Sequence, residues 1–241
     1  MSHKAYLAHS LQIHNAYTVP PGGVEYDHAR AIALAAAKVL EARGVSTMLP
    51  KTSWRFLADY AYLDNMSGAA NAWGANAYVA IHSNAGPSSV RGALTFYFPA
   101  SAAGKRLAAI VEKHVAAISP FTRDGTADIR SDSSLHDLRT PKAPAALCEV
   151  GFHTNKLDAI NIVDHPDTYG KAIADAVCEF FGVKVVVPKP ATTLVERLSP
   201  NMFAKLMTFL GKPYKTPDGV TTMNVLSTVW ARFMAAIRKG A

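Results

Sequence analysis

Two cysteines in 241 residues, Cys148 and Cys178, are too few for a disulfide framework or a cysteine-rich zinc spacing. Each sits among apolar neighbours, which reads as two buried, unpaired thiols in a chain that folds under reducing conditions. No run approaches the roughly 18 uninterrupted apolar residues of a membrane span, so no integral membrane segment is expected. The N-terminal MSHKAYLAHS has no apolar h-region, so no secretory signal is expected and the chain reads as made in the cytoplasm. Three catalytic signatures are also missing. There is no His-Glu-x-x-His, no Gly-x-Ser-x-Gly elbow and no P-loop, since the Gly-Lys pairs are followed by Arg106, Ala172 and Pro213 rather than Ser or Thr. These absences exclude the common zincin, serine-hydrolase and P-loop chemistries.

Charge is present but unevenly placed. The net charge is +7, yet from Val185 onward there are eight Lys or Arg against Glu196 and Asp218, while the first 184 residues are nearly balanced. The basicity belongs to the tail, whose expected partner is an anionic surface. The tail's basic residues are scattered and match no nucleic-acid-reading motif, so no nucleic-acid partner is expected.

Up to about Gly182, short β-branched or aromatic runs alternate with longer Ala/Leu-rich stretches of helical period. KAYLA, VSTML, AYVAI, GALTFYF and APAALCEV read as strands. Ala29, Ile32, Ala33, Ala36, Val39 and Leu40 form one stripe of a helix that stops at Gly44. A second helix is expected over roughly Trp54 to Trp73, a third ends before Pro120, and DAINIVDHP and YGKAIADAVCEFFG close the series. This order predicts an α/β fold: a mostly parallel twisted sheet with helices on both faces. Residues 1–184 would form that domain and the proline-bearing segment 185–193 a linker. Residues 194–241 would form a small basic module of amphipathic helices.

Parallel sheets bind ligands beyond the carboxyl ends of their strands. His82 follows one such end in YVAIHSNAG, and Glu149 lies in another, AALCEVGF, where every neighbour favours burial. A carboxylate there is costly unless it is paired, metal-bound or held neutral, which leaves a structural ion pair and a raised-pKa acid/base both open. Glu25 opens the first helix, where acids also occur for dipole reasons alone. Histidines and one carboxylate on strand ends and a helix start suit the open shell of a hydrolytic zinc site, with a second carboxylate to activate water.

From Lys4 to about Gly182 the chain resembles the zinc-dependent N-acetylmuramoyl-L-alanine amidases of bacterial autolysins and phage endolysins. The likeness rests on QIHNAY, VEYDHA, AIHSNAG, VRGALTFYF, LHDLRTPKAPAALCEVGFHTN and DAINIV, in that order. The glycine-rich GHGG start common in that family is absent. The resemblance implies a Zn²⁺ ion held by His14, Glu25 and His82, with His9 as the other candidate for the first histidine, and Glu149 as the catalytic acid/base. Asn84, His153 and Asn155 are expected near the site. The implied substrate is the amide between N-acetylmuramic acid and the L-Ala of the stem peptide in peptidoglycan. The implied setting is an endolysin that waits in the host cytoplasm until released to the cell wall, with the tail bound to anionic wall polymer. A zinc peptidase acting within the stem peptide and a non-catalytic wall-binding protein are the other readings, and the oligomeric state is left open.

Overall fold

The computed structural model describes residues 3–58, 60–119 and 129–183. The chain divides into two compact units, Met1–Val185 and Val186–Ala241. The linker and the basic helical module lie outside the described residues.

Among the described residues six strands form one sheet: β1 (Lys4–His9), β2 (Ser46–Met48), β3 (Ala77–Asn84), β4 (Leu94–Tyr97), β5 (Ile129–Ser131) and β6 (Ala145–Phe152). Their order across the sheet is β2-β1-β3-β6-β4-β5. All neighbours run parallel except β4 and β6, which pair antiparallel. The helices are α1 (Glu25–Ala42), α2 (Ala61–Trp73), α3 (Ala102–Ile118), α4 (His136–Arg139), α5 (Lys156–Asp164) and α6 (Pro166–Phe181). The α/β sheet with helices on both faces is therefore present as expected.

Alternation along the strands sorts two cores. Ala5, Leu7, Val79, Ile81, Cys148 and Val150 join the buried stripes of α1, α3 and α6 on one face. Tyr6, Ala8, Tyr78, Ala80 and Leu147 join Tyr62, Met66 and Ala70 of α2 and Leu138 of α4 on the other. Both cysteines are buried and free.

Two expectations need correction. The helix expected over roughly Trp54–Trp73 is interrupted: Thr52–Phe56 is a 3-10 turn, Leu57 is extended, Tyr60 is left-handed at φ 58°, and α2 begins only at Ala61. Helix propensity permits the longer helix, but Arg55 ties the 3-10 turn to α1. Its Nη1 donates to Tyr26 Oη (3.1 Å) and to Thr52 O (2.9 Å). The short β5 and α4 carry too few residues to show a period and were not foreseen.

Helices α1 and α6 cross on small residues. A Cβ added at Gly170 would lie 2.5 Å from Ala35 Cβ, 2.7 Å from Ala36 N and 2.8 Å from Ile32 O. Helix propensity alone would favour Gly170→Ala by about 1 kcal/mol. Contact with a neighbouring backbone cannot be relieved by a rotamer change, so overpacking wins. G170A is expected to destabilise the domain by about 1–3 kcal/mol, read from a denaturant midpoint that falls at unchanged m-value. A raised midpoint would show that the two helices can part freely.

Candidate functional site

The carboxyl ends of β1, β3 and β6 and the start of α1 converge on one edge of the sheet. Strand β3 lies between β1 and β6, with His9 opposite Ile81 and His82 opposite Glu149. Parallel register turns paired residues to the same face, so His82 and Glu149 share one. A bulge after His82 lets the strand end turn, and Ser83 N reaches Glu25.

The 10–24 segment brings Glu25 to this edge. It doubles back through a bridge between Ala16 and Val24 and a Tyr17 N to Gly23 O bond of 2.9 Å, and Glu25 N then donates to Asn15 O at 2.9 Å. Glu25 is 1% exposed. Its Oε1 accepts from His82 Nδ1 (2.8 Å) and Ser83 N (3.2 Å), and its Oε2 accepts from Asn15 Nδ2. Burial alone would raise its pKa, but these donors and the His82 charge hold it below the usual carboxylate value. Burial opposes a charge on His82 in turn, and the bond to Glu25 overcomes it, lifting the imidazole to about 9. In the absence of a metal, the two form an ion pair.

Glu149 behaves differently. Burial pushes it up to about 7, with His82 pulling down and Glu25 pushing up. Its Oε2 is buried and has no hydrogen-bond partner, and neither has His82 Nε2. An imidazole nitrogen and a carboxylate oxygen, both desolvated and both unsatisfied, are what a cation or a reacting group would satisfy.

The two candidate first histidines differ in setting. His9 ends β1, is 1% exposed, gives Nδ1 to Ser10 O at 3.0 Å, and meets the Tyr26 ring edge-on. Burial lowers it to about 4, with smaller contributions from Arg30 and His82, so the ring is neutral near pH 7. His14 is exposed, on the loop whose next residue, Asn15, holds Glu25. Among the described residues no group of three or more His, Cys, Asp or Glu is arranged to hold a metal ion as it stands. The donor chemistry nonetheless fits a borderline cation such as zinc: a carboxylate and an imidazole in contact, and a neutral imidazole at the neighbouring strand end.

Other residues prove to be supports. Ser83 Oγ and O both lie within hydrogen-bond reach of His153 Nδ1 (3.1 and 3.0 Å), and Tyr17 stacks on the His153 ring at 5.0 Å. Asn84 O accepts from His153 N at 2.8 Å. Asn155 caps α5, accepting from Leu157 N and Asp158 N, which is a structural role. Asn15, Ser83 and Tyr17 were not foreseen. For Asn15 the only available signal was its place next to a candidate ligand in QIHNAY.

A raised carboxylate pKa costs stability as pH climbs. The folded state holds the Glu149 proton up to about 7, whereas the unfolded chain releases it near the ordinary value of 4.5. Stability is therefore lost between those pH values and stays lost above them. In chelator-treated, metal-free protein, E149Q is expected to exceed wild type in stability at pH 8 by up to about 3 kcal/mol. The difference should vanish as pH falls toward 4.5. Equal denaturation midpoints at both pH values would show that Glu149 is not held protonated.

Comparison with known proteins adds a family. A model of the N-acetylmuramoyl-L-alanine amidases (Amidase_3) matches residues 9–179. Comparison of the sequence with curated proteins gives no match. Among solved structures, the chain is similar to the N-acetylmuramoyl-L-alanine amidase AmiC2 of Nostoc punctiforme, at 20% identity and TM-score 0.62, over 75% of this chain and 97% of that one. The catalytic domain of the amidase CwlV from Bacillus (Paenibacillus) polymyxa gives 24% identity and TM-score 0.61, over 75% and 99%. The catalytic domain of the CD27L endolysin, which targets Clostridia Difficile, gives 20% identity and TM-score 0.61, over 73% and 97%.

Proposed function

This chain belongs to the N-acetylmuramoyl-L-alanine amidase family, and on that premise we propose a zinc-assisted hydrolysis in which Glu149 is the acid/base. The bond cut joins N-acetylmuramic acid to the L-Ala of the peptidoglycan stem peptide. The observation that carries this reading is the unsatisfied pair, His82 Nε2 and Glu149 Oε2, on one face of adjacent strands.

Glu25, His82 and a first histidine would hold the ion. Of the two candidates, His9 is buried, neutral and within electrostatic reach of His82, which favours it over the exposed His14. Bound there, zinc supplies Lewis acidity toward the scissile carbonyl and the attacking water. Asn15 and Ser83 N fix the Glu25 carboxylate, as outer partners of a ligand do. Glu149 Oε2 takes a proton from the attacking water and returns it to the leaving nitrogen of L-Ala, so that the C–N bond breaks into an acid and a free amine. A pKa near 7 suits a group that must both accept and donate.

The expected results are separable. E149A or E149Q should abolish release of the L-Ala amine from soluble muropeptides, seen by mass spectrometry, while retaining bound zinc. E25A, H82A and H9A should lose zinc as well as turnover, and H14A should keep zinc. Chelation should stop wild-type turnover and added Zn²⁺ restore it. Loss of zinc from H14A rather than H9A would reverse the choice of histidine. Products cut within the stem peptide would replace the amidase assignment with a peptidase.

For setting, we propose an endolysin that reaches the wall of its host from the cytoplasm. The likeness to an endolysin catalytic domain and the concentration of charge in the tail support this. The basic module would bind an anionic wall polymer. Truncation after Val187 is then expected to abolish co-sedimentation with purified walls while leaving hydrolysis of soluble muropeptides intact. An insoluble truncated chain would assign the tail to packing instead.

A further inference from the structure

A groove of about 580 Å³ opens beside the site, between the 11–15 loop and the 55–62 segment. It adjoins the reaction centre through Asn15, which bonds Glu25, and through Tyr62. Burial pushes the Tyr62 hydroxyl up to about 12, and the Glu25 charge is among the lesser contributions. Its walls are not those of a packing defect. Phe56 is 68% exposed and Tyr60 66% exposed, and large apolar side chains gathered in the open at a cleft mark a binding site. Tyr60 also holds a left-handed backbone at φ 58°, which L side chains rarely adopt and which clusters at ligand-binding segments.

Arg55 is the charged group of this wall. Its guanidinium lies 4.8 Å from the centre of the Tyr26 ring and 4.3 Å from that of Phe56, and Nη1 is bonded to Tyr26 Oη and Thr52 O. Among the described residues Nη2 and Nε have no bonded partner, so a fixed, planar donor edge remains. That edge matches a carboxylate.

We propose that this groove seats the peptide arm of the substrate and that Arg55 binds a stem-peptide carboxylate, so that Arg55 determines which stem chemistries are accepted. This rests on the amidase reading. The substrate has two arms, and charge chooses between them: the N-acetylated glycan offers no anion once its lactyl group is in the scissile amide, whereas the peptide carries free carboxylates. The apolar surfaces of Phe56 and Tyr60 would cover the aliphatic parts of the same peptide.

The test compares two soluble muropeptides that differ only in whether the stem-peptide carboxylates are free or amidated. kcat/KM for L-Ala amine release is measured for wild type, R55A and R55K. Wild type is expected to prefer the free acid by about tenfold, mainly through KM, the size of one good charge-assisted contact. In R55A that preference should collapse toward unity, and R55K, with charge but no fork, should fall between. A purely structural role through Tyr26 would lower both substrates by the same factor and leave the ratio intact, which overturns the proposal. A wild type indifferent to amidation overturns it too and leaves the groove to the glycan. If wild type releases no L-Ala amine from either muropeptide, the amidase reading itself has failed.

Discussion

The contact between His82 and Glu25 is the constraint around which this edge of the sheet is arranged. A carboxylate that is 1% exposed is tolerable only if each oxygen is satisfied, and here an imidazole, a backbone amide and an asparagine share the task. Satisfying them fixes three separate pieces of chain. β3 must end with a bulge so that Ser83 N turns inward. The 10–24 segment must double back so that Asn15 faces the first turn of α1. That turn must start at residue 25, where the helix dipole further favours an acid. Remove the carboxylate and an imidazole and an amide are left desolvated together. The loop geometry thus follows from the ion pair rather than producing it.

Among the described residues the other buried acids are satisfied. Asp158 Oδ2 accepts from Gly92 N (2.8 Å) and Phe152 N (2.9 Å), tying the β3–β4 connection to the end of β6. Asp137 accepts from Tyr78 Oη, and Glu112 Oε2 accepts from Thr95 Oγ1 at 2.7 Å. Against these, Glu149 stands out because its inner oxygen faces a site and not a donor. Among the described residues these other buried carboxylates are satisfied, whereas the Glu149 oxygen is left in an unfavourable setting.

Much of this was legible in the sequence, and for a definable reason. Regular elements announce themselves by period, and a charged residue inside a buried strand announces itself by cost. Hence β3, β6, α1 and α6 were readable, as were Glu149 and, with Glu25 and His82, the edge at which they meet. What period cannot carry is the geometry of irregular chain. His9 and His14 are both plausible neighbours of Glu25 by spacing. They differ in that one ends a strand and is buried, while the other sits on the outside of a loop. The break before α2 was unreadable because Leu57 and Ala58 suit a helix well. Tertiary contacts of Arg55 with Tyr26 override that propensity. The antiparallel entry of β4 leaves no local trace, since strand direction is set by what the chain does afterwards.

The two kinds of chain divide the work. The candidate site groups sit on strand ends and a helix start, where neighbouring strands fix their positions. The groove wall is built instead from a 3-10 turn, an extended residue and a left-handed tyrosine, none of which the sheet needs. Because Arg55 is anchored to Tyr26, the residue that follows Glu25, the irregular wall is nonetheless indexed to the reaction centre. Arg55 therefore keeps a fixed offset from Glu25, set by one helical residue. That linkage ties an irregular surface segment to the ordered carboxyl edge of the sheet.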